Sequence, residues 1–506
     1  VGVRQGDHVG VLMDTRPSAL VAIAALSRLG AVAVLLPPVS DLSTAVRLGE
    51  VAEIIVDPQH VRQAAATGCK VLVLGGGGAE RDVAAEAGVD AADGADVVDL
   101  ERIDPEAVEL PGWYQPNPGL ARDLAFILFS RSGGDVEAKL ITNHRWALSA
   151  FGTATAAALT RSDTVYCITP LHHPSGLLTS VGGAVAGGSR IALSRGFDPE
   201  RFDAEVLRYG VTVVSYTWTL LRELLARPQH GGSRPHHAIR LFMGSGMPRG
   251  LWRRVLEEYA PARVLEFYAS TEGEAVLANL SGAKAGAKGR PLPGSAQVRL
   301  ARFDPRQRKL VTDDDGFAVE CTTDQVGLLL SNPRGSVDAS ARKLRGVFAP
   351  GDSWVATDDL FWRDADGDFW LADNRHGVIN AAQGPVYTQP IRDALADLPS
   401  VDLAVAYGVP VGDTLVVAAV TAWRHAKVDA SEVTRALAAL PRERRPDVVH
   451  VVDEIPVTTW YRPNPASLTA KGVPEAGERA WYYHAESDTY LPLTGTARER
   501  LALAKA

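Results

Sequence analysis

The chain is predicted to be an α/β protein. The expected architecture is a large N-terminal domain of parallel sheets covered by helices plus a β-rich subdomain, followed by a small α+β C-terminal domain. Three observations carry this. Residues 8–13 read as a strand, Pro17 opens an apolar helix that Gly30 stops after Leu29, and 31–36 read as a second strand, which is one βαβ unit. The alternation then continues for well over 200 residues. From about Ser281 it gives way to short strands separated by Gly, Pro and Asp turns, as expected of a β-rich piece.

The elements follow in order. Strands are expected at 53–56 and 71–74, with a helix near 61–67 between them. After a polar loop come a strand at 124–129, a helix at 143–159 and a strand at 164–168. A helix at 199–209, between an Asp198 cap and Gly210, leads to a strand at 211–216. Then come a helix at 219–226, a strand at 239–243, a helix at 249–259 and a buried strand starting at Arg263. The β-rich subdomain, about 281–372, should contain strands at 298–301, 317–321 and 326–331. Residues 1–372 form the expected N-terminal domain and 373–506 a separate C-terminal one. In the latter, strands near 403–407, 415–422 and 448–452 surround a helix near 431–440, with Asp429 and Glu432 in the pattern of a capping box.

Composition narrows the function. At 506 residues with 46% hydrophobic content the chain can build a large core. A formal net charge of −8 argues against gripping nucleic acid through general basicity. The longest apolar runs, such as 31–36 and 154–159, fall well short of the roughly 20 residues that span a bilayer. Cys69, Cys167 and Cys321 form no CxxC pair, zinc pattern or disulfide framework, so a reducing, cytoplasmic compartment is the expectation. The chain opens on Val1 and enters a core strand within eight residues, which predicts a piece of a longer, N-terminally fused polypeptide.

Several stretches carry candidate chemistry. Gly75 to Gly78 follows a strand but lacks GxGxxG spacing, so a flexible surface loop is expected. No GxSxG elbow offers a hydrolase nucleophile, and His172 and His173 lack the HExxH spacing of a zinc site. In LAFILFSRSGGDVEAKLITNHR a strand runs into a loop with Ser130, Ser132, Gly133 and Gly134, then a single Lys139. Glycines let backbone N–H groups turn toward phosphate oxygens, and a lysine adds a point charge; this is not the Walker loop, since no GK[ST] opens the helix. In RVLEFYASTEGE a strand presents Tyr268, Ser270, Thr271 and Glu272. The ring can stack on a purine, a hydroxyl can meet a phosphate and the carboxylate can hold Mg²⁺; an ordinary helix start after a strand is the alternative.

In this order the pieces resemble the AMP-forming acyl-adenylate synthetases, and most closely the branch of very-long-chain acyl-CoA synthetases and fatty-acid transport proteins. PLHHPSG resembles that branch's PLYHSAG, MGSG (Met243, Gly244, Ser245, Gly246) its glycine turn beside adenine, EFYASTE its EFYGATE, and Thr357-Asp358-Asp359 its Thr-Gly-Asp. The ending WYYHAESDTYLPL is also similar, so the resemblance covers nearly the whole chain. It implies ATP, Mg²⁺ and CoA as substrates or cofactors and a fatty acid as the acid activated. A carboxylate attacks the α-phosphorus to give acyl-AMP and pyrophosphate, and the CoA thiolate then displaces AMP. By the same resemblance Tyr268 stacks on adenine, Thr271 touches the α-phosphate, Glu272 ligates Mg²⁺, Asp359 holds the ribose, Arg375 serves the nucleotide and His173 lines the acyl side. The C-terminal domain would swing between half-reactions. Relatives often work at membranes, so peripheral membrane association is a further expectation.

The departures fall on the chemistry. Arg462, in IPVTTWYRPN, stands where the family carries a catalytic lysine, and a planar fork replaces a compact ammonium. The phosphate loop carries Asp135 and Glu137 where a polyanion is expected; Ala269 and Asp358 replace glycines, and Val378 sits near the usual hinge acid. The sequence therefore leaves two readings: a synthetase with a retuned site, or a degenerate relative acting as a nucleotide-binding, acyl-binding or scaffold module of a larger fused protein.

Overall fold

The computed structural model describes residues 2–38, 42–75, 96–132, 135–227, 237–270, 275–332, 343–423, 426–457 and 463–503. The chain divides into two compact units, Val1–Leu220 with Gly231–Phe242, and Leu221–His230 with Met243–Ala506. Residues 76–78 of the expected glycine-rich surface loop lie outside the described residues.

The first unit contains a seven-stranded sheet in the order Val97–Asp99, Lys70–Val73, Glu53–Val56, His8–Leu12, Val32–Leu35, Leu124–Ser132, Asp135–Thr142. The first six strands run parallel and the last pairs antiparallel with its neighbour. Both faces are buried, which explains the near-continuous apolar strands. Val9, Val11 and Ala33 pack with Ala19, Ala22, Ile23 and Leu26 of helix Pro17–Leu29. Leu12, Val32 and Val34 pack on the opposite side with Ala45, Val61 and Ala64. The helix stops as expected, because Gly30 takes φ 72°, a left-handed conformation that favours glycine. At the carboxyl ends of two strands, buried Asp57 accepts from the Asp14 N–H at 2.8 Å and from His60 Nδ1 at 2.5 Å, which fixes the ends of both loops. The same unit holds parallel strands Arg190–Leu193, Thr164–Cys167 and Val213–Thr217.

Two local expectations change here. The Ser/Gly stretch is not an open loop before the lysine. Strand Leu124–Ser132 continues to Ser132, and Asp135–Thr142 returns from it with Ser132 opposite Asp135 and Leu128 opposite Lys139. Period-2 alternation through Val136, Ala138 and Leu140 overrides the glycine signal. The helix expected from Pro199 begins at Phe202, since the Asp198 carboxylate accepts from the Glu200 N–H at 2.9 Å and closes a turn instead.

In the second unit, Arg263–Ala269 pairs antiparallel with Val276–Asn279. The β-rich piece is an antiparallel sheet with Gln297–Asp304, Gly327–Asn332 and Ser353–Arg363 at its centre, and Phe369–Asn374 also pairs with Ser353–Arg363. The strand expected at 317–321 is reduced to isolated bridges, Ala318 to Thr312 and Glu320 to Ala301. Helix Thr388–Ala396 then precedes a five-stranded sheet in sequential order: Val401–Val411, Asp413–Ala422, Val448–Val451, Gly477–His484, Thr489–Leu493. Its core joins Ile391 and Leu395 to Ala404, Val416, Val420, Val433, Leu437 and Trp481. The Asp429 carboxylate caps helix Ala430–Leu437 by accepting from the N–H groups of Ser431 and Glu432, while the Glu432 carboxylate accepts from the Ser400 hydroxyl at 2.9 Å. The three cysteines of the chain are free and buried.

Helices Arg249–Glu258 and Thr388–Ala396 approach so closely that a Cβ on Gly250 would lie 1.9 Å from the Ala396 carbonyl oxygen. Arg249 and Arg253 reach Asp397 at 3.4 and 3.1 Å, and Arg222 clasps Asp402 through two bonds of 2.7 and 2.5 Å. Gly250→Ala should therefore force the helices apart and lower stability by about 1–3 kcal/mol, seen as a lower denaturant midpoint. An unchanged midpoint would mean that this contact is slack.

Candidate functional site

In the second unit, strand Arg263–Ala269 supplies the central pieces. Glu266 is fully buried in that strand, and its carboxylate accepts from the Gly246 N–H at 2.7 Å, from the Met247 N–H at 3.4 Å and from Lys288 Nζ at 2.6 Å. This holds the glycine turn after strand Leu241–Ser245, where Gly246 takes φ 81° and Ser245 and Gly246 are exposed. The turn that presents Gly244, Ser245 and Gly246 is thus bonded to the strand that carries Tyr268. Glu266 and Lys288 were not singled out in the sequence; a glutamate at a position that alternation marks as core-facing was the available signal.

Two residues further along the same strand, the half-buried Tyr268 donates its hydroxyl to Asp359 Oδ2 at 2.7 Å. Its ring meets Phe361 edge to face, with centroids 4.9 Å apart. Asp359 lies on strand Ser353–Arg363, where Thr357 Oγ1 accepts from the Asp359 N–H at 3.2 Å and donates to the Leu329 carbonyl at 2.9 Å. The other Asp359 oxygen accepts from Asn374 Nδ2 at 3.2 Å. A carboxylate has about four lone-pair sites, so each oxygen retains capacity for one further donor such as a ribose hydroxyl. Arg375 follows directly and binds the Asp358 carboxylate at 2.8 Å, so the residue that replaces a family glycine holds the expected nucleotide arginine. The buried Ser270 closes the end of the strand: its N–H donates to the Ala275 carbonyl, and its Oγ accepts from the Ala275 N–H. Thr271 and Glu272, expected at the α-phosphate and the magnesium ion, lie outside the described residues, as does Arg462.

In the first unit, Ser130 and Ser132 lie on the strand Leu124–Ser132 described above, and Gly133 and Gly134 lie outside the described residues. Lys139 Nζ is paired with Glu137 Oε2 at 2.9 Å, and both side chains are partly exposed. The Glu137 carboxylate is therefore turned onto the lysine of its own strand. His173 sits in the tight PLHHPSG turn: its N–H donates to the Pro170 carbonyl, and a Cβ on Gly176 would lie 2.2 Å from that same oxygen. His173 Nδ1 accepts from the Ser175 N–H at 3.1 Å, which puts the ring proton on Nε2. Burial lowers the pKa of both His172 and His173 to about 4, so both rings are neutral near pH 7.

Parallel sheets under helices, a β-rich piece, and a glycine turn bonded to a tyrosine strand that reaches an aspartate define a protein of the AMP-forming ligase fold. Solved structures agree on the fold. ATP-bound MatB from Rhodopseudomonas palustris has a TM-score of 0.70 at 21% identity over 93% of this chain and 89% of that one. The anthranilate CoA ligase AuaEII in complex with anthranoyl-AMP scores 0.73 at 17% identity over 93% and 88%. The model of the AMP-binding enzyme family matches residues 1–316, and the chain belongs to that family. Among curated relatives it is similar to the medium/long-chain-fatty-acid–CoA ligase FadD6 of Mycobacterium tuberculosis, 28% identical over 100% of this chain and 84% of that protein. It is also similar to the rat long-chain fatty acid transport protein 2, 25% identical over 79% and 67%.

Two substitutions test these contacts. Tyr268→Phe keeps the ring on Phe361 but leaves Asp359 without its hydroxyl donor, and should destabilise the protein by about 1–3 kcal/mol in thermal or urea unfolding. No loss would mean the bond is replaced by water. Glu137→Gln releases Lys139 from an exposed pair worth roughly 0–1 kcal/mol, so ATP should bind up to about five-fold more tightly by calorimetry. Weaker binding would show that the carboxylate, not the lysine, serves the ligand.

Proposed function

We propose that the chain is an acid–thiol ligase that activates a long-chain fatty acid with ATP and Mg²⁺ as acyl-AMP and then passes the acyl group to CoA. The observation that carries this reading is the convergence of three separate motifs through hydrogen bonds: Gly246 to Glu266, Tyr268 to Asp359, and Asp358 to Arg375. The likeness to a fatty-acid–CoA ligase and to long-chain fatty acid transport proteins supports the substrate class.

In the first step a carboxylate oxygen of the acid bonds to the α-phosphorus as the bond to pyrophosphate breaks. In the second a thiolate sulfur bonds to the acyl carbon as the bond to AMP breaks. The exposed Gly246 turn and the Tyr268 ring offer an edge and a face to adenine, and Asp359 accepts from the ribose. Arg375, oriented by Asp358, lies one residue after the Asn374 that fixes Asp359. His173 in its neutral form can line the acyl side without adding a charge. The hairpin lysine, Lys139, and Arg462 supply positive charge to the phosphates, and Thr271 a hydroxyl. Glu272 would hold the magnesium ion, which neutralises phosphate charge when bound. Residues 373–506 are the mobile domain of this reading. Among the described residues no helix is long and apolar enough to cross a membrane, and peripheral association fits the transport-protein relatives.

Hydroxylamine trapping of acyl-AMP tests the proposal. Wild-type protein with ATP, Mg²⁺ and a long-chain fatty acid should yield hydroxamate. Arg462→Lys, which restores a compact ammonium, should raise the yield by roughly ten-fold, part of the 10²–10³ that one well-aimed donor can contribute. Absence of hydroxamate from both proteins, whatever acid is supplied, would overturn it.

A further inference from the structure

Glu266 and Lys288 form a buried ion pair: the carboxylate is fully buried and the lysine side chain only 12% exposed, with 2.6 Å between them. An ion pair removed from water is costly unless its remaining valences are met, and a hydrophobic pair would serve stability as well. The pair's partners give it a local role. The carboxylate accepts from the N–H groups of Gly246 and Met247, the residues on which the exposed glycine turn closes. The Glu266 carboxylate is the acceptor that holds both N–H groups.

Lys288 is delivered just as specifically. Buried Asn279 donates its Nδ2 to the carbonyls of Lys284 and Ala287, at 2.8 and 3.1 Å, and accepts from the Gly282 N–H at 3.1 Å. The Lys288 N–H donates to the Phe369 carbonyl at 2.8 Å. Gly289 takes φ 77°, and a Cβ there would lie 2.0 Å from the Ala278 carbonyl oxygen. The segment thus lies flat on strand Val276–Asn279, the partner of the strand that carries Glu266. Lys284, four residues before, is anchored at 2.6–2.9 Å on Asp364, Asp366 and Asp368, which fixes the other end of the loop.

We infer that Lys288 is a positioning residue for the nucleotide: it fixes the Glu266 carboxylate in place, and Glu266 holds the Gly246 turn in the conformation that receives adenine. The inference rests on the adenylation reading above. Lys288 and Glu266 both act through the turn, so their removal should appear in nucleotide affinity rather than in affinity for the acid or CoA.

The test is a charge-complementation cycle on the full chain, reading ATP affinity by calorimetry and the KM for fatty acid and CoA. Lys288→Met leaves a buried carboxylate without its cation and should weaken ATP binding by roughly ten-fold or more, with the other KM values within about two-fold. Lys288→Met with Glu266→Gln removes both charges while keeping an amide oxygen for the Gly246 N–H, and should recover most of the loss. Lys288→Arg should stay closer to wild type than Lys288→Met. Unchanged ATP affinity in Lys288→Met, or a loss that Glu266→Gln does not relieve, overturns the positioning role while leaving the ligase reading intact. An equal loss of affinity for all three substrates marks general destabilisation and overturns it as well. Wild-type protein that binds no ATP overturns the ligase reading itself, and this role with it.

Discussion

A carboxylate with no access to water must have its charge met by the protein, and Glu266 meets that requirement with two backbone N–H groups and one lysine. Those partners come from residues 19 and 20 positions before it and 22 positions after it in sequence, so one side chain ties a glycine turn and a returning loop to a single strand. The strand is also the one that aims Tyr268 at Asp359. Much of the geometry of the second unit's site follows from that one constraint. If the acceptor were lost, the turn would be free to open, and the strand that carries the tyrosine would lose its link to the glycines.

The substitutions that set this chain apart from its relatives look different once their surroundings are known. Asp358 pairs with Arg375 at 2.8 Å and so orients that cation. Glu137, in a cradle expected to be free of acids, pairs with Lys139 on its own strand. Both carboxylates are partly exposed, where an ion pair is worth little and is readily exchanged for a better partner. An acid that can release its cation to an arriving phosphate does less harm than an unpaired one. The departures are thus compatible with membership of a catalytic family.

The hairpin illustrates how sequence signals compete. Two glycines after two serines suggest a loop, and Lys139 behind them suggests a phosphate cradle. Yet the alternation from Val136 to Leu140 is that of a strand, and the pairing with Leu124–Ser132 extends along the whole segment. Similarly, Asp198 next to Pro199 has the look of a helix cap, but its carboxylate closes a turn before the helix begins. Local polar side chains bond to whichever backbone N–H is nearest, so the exact start of an element depends on what packs behind it.

Read alone, the amino-acid sequence determined the α/β class, the succession of strands and helices and the family resemblance, because hydrophobic period and Gly or Pro punctuation are properties of neighbouring residues. It also marked Tyr268, Asp359, Arg375, His173 and the glycine turn as residues worth following. Only the tertiary structure decided how they are joined. The Tyr268 hydroxyl finds an acceptor 91 residues away, and a lysine in an unremarkable glycine-rich loop becomes the counter-ion of a buried glutamate. No local pattern encodes those pairings, since which distant charge enters a core is settled by the packing that excludes water from it.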